Sequence, residues 1–64
     1  MHINVRKLII FMYEQDKNVN ALSTAAGVSR ATVTAVKSGK SCSYQTAFKI
    51  AKALNVDVTE LLED

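Results

Sequence analysis

Apolar residues recur along this chain three and four positions apart, the spacing of one face of a helix, and they seldom alternate as a strand would require. Val5, Leu8, Ile9 and Met12 form one stripe; Leu22, Ala25 and Ala26 a second; Ala47, Ile50, Ala51 and Leu54 a third; Val58, Leu61 and Leu62 a fourth. Capping signals place the helix starts. An apolar residue just before an N-cap packs against the fourth residue after it, and this staple recurs at Ile3, Asn4 and Leu8, at Val28, Ser29 and Val33, and at Val56, Asp57 and Leu61. Glu60 adds the capping-box partner of Asp57, and Asn18 and Ser43 are two further caps without a staple. The pattern predicts five helices, from about Val5 to Gln15, Val19 to Ala26, Arg30 to Ser38, Tyr44 to Leu54 and Val58 to Leu62. Their stripes together close one small core. Ile10 and Phe11 lie off the first stripe, so helix 1 is apolar over more than one face, a candidate contact with another subunit.

The third helix is the least obvious of these. Thr32, Val33, Thr34 and Val36 are β-branched and would suit a strand. Spacing decides for a helix: Val33 and Val36 stand three apart, and Val28 joins Val33 through the staple. On a wheel, Ser29, Val33 and Val36 point one way, while Ala31, Thr34, Ala35 and Ser38 point the other, flanked by Arg30 and Lys37. Gly39 ends this helix and Gly27 turns the second helix sharply into it. Two short helices joined by about three residues and sharing Leu22, Val28, Val33 and Val36 make a helix-turn-helix. The nearly bare outer face then has a purpose, because small residues let a helix approach base edges in a DNA major groove and offer methyl contacts to thymine. Arg30 is the long side chain able to pair bidentately with guanine.

Charge strengthens this picture through its distribution. The formal net charge is only +2, yet Lys17, Arg30, Lys37, Lys40, Lys49 and Lys52 fall in residues 17 to 56 without one acidic residue among them. Asp57, Glu60, Glu63 and Asp64 then close the chain. An uninterrupted cationic centre is the footprint expected for a polyanion partner, with the acidic end kept on the side away from it. Sixty-four residues form one domain, 1 to 64. Cys42 stands alone, so no internal disulfide forms, and one cysteine with His2 cannot complete a four-ligand zinc site. The run from Leu8 to Tyr13 is far shorter than the roughly 20 residues of a membrane span. With no signal-peptide cleavage pattern, a soluble cytoplasmic protein is expected.

The segments LSTAAGVSRATVTAVKSGKS and TAFKIAKALNVDVTELL resemble the Cro and lambda-repressor (Xre-type) helix-turn-helix family across residues 5 to 62. The resemblance implies an all-α, five-helix bundle that binds double-stranded operator DNA, commonly as a homodimer on a palindromic site. It places Ser29, Arg30, Ala31, Thr34 and Ala35 over base edges. Asn18, Lys40, Ser41 and Ser43 would hold phosphates, in accord with the attraction of capped helix N-termini for anions. The chain also departs from the family. Met12 and Lys37 occupy the positions of a usual arginine–glutamate pair, which leaves Lys37 to face phosphate. Ser23 replaces an alanine, and Lys17 replaces an apolar residue ahead of helix 2, which implies a looser connection there.

A phage- or mobile-element-type repressor is the reading these features favour. An antitoxin or protein-partner-binding module on the same fold is the alternative. No enzyme is expected, since a triad would need a histidine and His2 sits at a terminus expected to fray. No cofactor, metal or small-molecule ligand is expected either. Cys42 reads as a loop residue, and Tyr44 and Phe48 as core edge or, for Phe48, part of a dimer interface.

Overall fold

A computed structural model describes residues 1–62 of the chain. Four α-helices follow one another: α1 (Val5–Glu14), α2 (Val19–Ala26), α3 (Arg30–Lys37) and α4 (Tyr44–Ala53). A 3₁₀ turn, Val58–Glu60, ends the fold. Every predicted cap is in use. The side chains of Asn4, Asn18, Ser29 and Ser43 each accept from the backbone N–H three residues ahead, and Asp57 forms the full capping box with Glu60.

The fifth helix is a correction. In place of Val58 to Leu62, only the 3₁₀ turn forms, and the reason lies in the N-terminal segment. Asn4 donates its backbone N–H to the Leu61 carbonyl at 2.6 Å, and Ile3 pairs with Leu62 in an isolated antiparallel bridge. Leu62, paired with Ile3 as in a strand, does not extend the turn into a longer helix. The N-terminal segment is accordingly held in place where fraying was expected: Ile3 is 2% exposed, and the Met1 carbonyl accepts from Cys42 N–H at 2.8 Å. Of the acidic end, Glu63 and Asp64 lie outside the described residues.

Each α-helix terminates in a residue with left-handed backbone. Gly27 (φ 72°) and Gly39 (φ 93°) do so as predicted, and Asp16 (φ 55°) and Asn55 (φ 59°) do so as well. Around Gly39, Lys40 N–H reaches back to the Ala35 carbonyl and Gly39 N–H to that of Val36, the Schellman pattern. Lys17 to Met12 and Val56 to Ala51 repeat the longer of these bonds at the ends of α1 and α4.

The core gathers Ile3, Leu8, Met12, Leu22, Val33, Val36, Ala47, Ile50, Ala51, Leu54 and Leu61. Full burial of each large aliphatic side chain contributes about 1.5–3 kcal/mol. α2 packs on both α3 and α4, and α1 packs on α3, so the helix-turn-helix pair is braced from two sides. Two of the expected stripes shift. On α1, Ile9 and Phe11 flank the Leu8–Met12 line equally on a wheel; Phe11 packs against the core, while Ile9 is 47% exposed alongside Ile10 and Tyr13. On α2 the inward row is Leu22 and Ser23, both buried, with Val19 and Ala26 half-buried beside them, and Ala25 is exposed. Ser23 hides in that row because its hydroxyl donates to the Asn20 carbonyl at 2.9 Å, which removes the penalty of burying it.

Candidate nucleic-acid interface

α3 has two unlike sides. Val33 and Val36 are sealed in the core, whereas Arg30, Ala31, Thr34 and Ser38 are exposed and Ala35 is half-buried. β-branched residues lose rotamer freedom in a helix, so this segment stays helical through the burial of its valines and its ends: the Ser29 cap and the Gly39 turn. The outer strip carries nothing longer than threonine between Arg30 at its start and Lys37 at its end. A cylinder so thinly clad can approach another surface to near backbone distance.

The predicted base-facing residues therefore share one surface, with different freedom. The Ser29 hydroxyl accepts from Thr32 N–H at 3.1 Å and pairs with the Thr32 hydroxyl at 2.8 Å, so it is already committed to capping. Ala31 and Thr34 stand open. The Arg30 guanidinium donates from Nη1 to Oδ1 of Asn20 at 3.2 Å. That bond joins the first turn of α2 to the first residue of α3. Sequence spacing held no sign of Asn20, because only the packing of the two helices brings positions ten apart together.

The predicted phosphate-facing residues divide in the same way. Asn18 spends its Oδ1 on Ala21 N–H at 2.8 Å, and its amide N–H groups remain donors on an exposed residue. The Ser43 hydroxyl accepts from Thr46 N–H and donates to the Thr46 hydroxyl. At the start of α4 the leading backbone N–H groups, unpaired at any helix start, are the available donors. Lys40 and Ser41 are exposed in the loop before that helix, and Lys37 is half-buried. The connection ahead of α2 is tied, where looseness was expected. Lys17 Nζ donates to Gln15 Oε1 at 3.0 Å, and Gln15 Nε2 donates to the Leu54 carbonyl at the end of α4.

Among the described residues no group of three or more His, Cys, Asp and Glu side chains could hold a metal ion. Cys42 is half-buried, and that burial pushes its thiol up, partly countered by the positive amino terminus. No helix among the described residues is long and apolar enough to cross a membrane.

Comparison with curated proteins and with solved structures gave no match. Comparison with protein families gave one, the Cro/C1-type HTH DNA-binding domain, over residues 7–64. That match spans all four helices but for the first two residues of α1, and includes the whole α2–α3 surface. The chain belongs to the Cro/C1-type HTH DNA-binding domain family.

Proposed function

We propose that this DNA-binding domain is a sequence-specific transcriptional regulator of the phage or mobile-element repressor kind, which sets α3 into the major groove of operator DNA. The observation that carries the reading is the two-sided α3: valines fully inward, small residues and Arg30 outward, in a segment free of acidic side chains. Ala31, Thr34, Ala35 and Arg30 meet base edges, and Ser29 contributes chiefly by fixing the start of the helix. Asn18, Lys37, Lys40, Ser41 and Ser43, with the leading amides of α2 and α4, hold the flanking phosphates and so set register.

Two copies acting together would present their third helices to successive major grooves about 34 Å apart, which requires a palindromic site. The surface that favours this is a groove of about 580 Å³ between α4 and the 3₁₀ turn, lined by Tyr44, Phe48, Val56 and Val58 among others. The Tyr44 and Phe48 rings stack there with centroids 6.2 Å apart, and both residues are about half exposed.

Selection of bound sequences from random duplex DNA tests both parts. A selected motif with two-fold symmetry is the expected result; a single asymmetric half-site removes the paired arrangement, and no enrichment removes the regulator reading. Sedimentation of Phe48→Glu alongside the unmodified protein checks the groove: a dimer that persists unchanged excludes it as the interface.

A further inference from the structure

We infer that Asn20 is a positioning residue for DNA reading: it holds the Arg30 guanidinium ready for its base pair without neutralising it. The inference rests on the reading of Arg30 as a base-contacting residue, and it assigns a role to a side chain on the neighbouring helix. The geometry is direct, with Arg30 Nη1 donating to Asn20 Oδ1 at 3.2 Å across the α2–α3 junction. Both side chains are exposed, and Asn20 is not spent on capping, since Asn18 performs that task for α2.

The chemistry explains why an amide suits the position. An arginine loses much rotamer freedom on binding, and a contact that restricts it beforehand lowers that loss. Guanidinium has five N–H donors in a rigid fork, so one can rest on Asn20 while two others face the acceptors of a guanine. A carboxylate would hold the arginine more tightly but would cancel its charge and repel the phosphates alongside. The chain avoids that alternative throughout this region, because no Asp or Glu occurs between Lys17 and Val56.

The test is a double-mutant cycle on the full chain, using the duplex selected by the unmodified protein and variants changed at each base pair. Arg30→Ala is expected to relax discrimination at one base pair. Asn20→Ala should lower discrimination at that same base pair by roughly three- to tenfold, with melting temperature and salt slope unchanged, because a single hydrogen bond to a charged group is lost. The double variant should match Arg30→Ala alone. Full discrimination in Asn20→Ala overturns the inference, as does an equal loss in the absence of Arg30; both outcomes leave base reading by Arg30 intact. If Arg30→Ala relaxes no base pair, the reading beneath it falls and the positioning role with it.

Discussion

Asp16 and Asn55 hold left-handed backbone that side chains other than glycine adopt at a cost, and each does so to end a helix. Asp16 carries a second penalty, a negative charge at the carbonyl end of α1, where the helix dipole disfavours it. Asp16→Gly is expected to raise stability by about 0.5–1 kcal/mol, read as an upward shift of the urea midpoint. Gly27→Ala should do the reverse by about 1 kcal/mol, and through backbone strain alone, since no atom lies within 4 Å of where the new Cβ would stand. The residue scale also separates two kinds of DNA contact. Lys40 is exposed beside the start of α4, so Lys40→Ala should weaken binding evenly on all sequences and lower the salt slope by about one unit. An unchanged slope in a salt titration would remove Lys40 from the phosphate contacts.

Among the elements, the helix starts were the most legible. All five caps follow from Asn, Ser or Asp standing before a periodic apolar run, and each side chain bonds to the turn it opens. The cap of the last turn also makes stability depend on pH. Backbone and side-chain hydrogen bonds from Thr59 hold the Asp57 carboxyl below the usual range, against a small opposing effect of desolvation. A carboxylate whose pKa is depressed by folding contributes stability that is present above its unfolded value and lost as pH falls through its folded one. Asp57→Asn keeps a capping oxygen and removes the titration. The melting-temperature difference between the two proteins should be constant above about pH 5 and should move against the unmodified protein below about pH 4. A difference that stays flat through acid would show that the cap does not titrate with folding. Helix faces were less legible than helix starts. Ser23 reads as polar yet sits in the inward row of α2, and Ile9 reads as apolar yet sits outside the buried row of α1.

For the whole molecule, closure depends on a segment to which local pattern assigns only the staple of Ile3 on Leu8. Ile3 joins the core from the N-terminal segment, bridges to Leu62, and ties the chain's start to its last turn through Asn4 and Leu61. Ile3→Ala should cost about 2–4 kcal/mol, a large fraction of the stability of so small a domain, measured by urea unfolding. A cost below about 1 kcal/mol would mean that the segment is not part of the cooperative core.

Helical spacing, the caps and the two glycines are local features: each is written in residues within about four positions of one another, and the physics that acts on them is equally local. From these the sequence by itself determined the four α-helices, the helix-turn-helix, the inward valines of α3 and the cationic span around it. Other features came only from distant segments meeting. Pairing of Ile3 with Leu62 turned an expected fifth helix into a single 3₁₀ turn, and the docking of α1 on α3 accompanied the choice of Phe11 over Ile9 for the core. Packing of α2 against α3 set Asn20 against Arg30. Such choices lie in how the helices dock, since a wheel ranks the faces of one helix but holds no information about which neighbour will cover them.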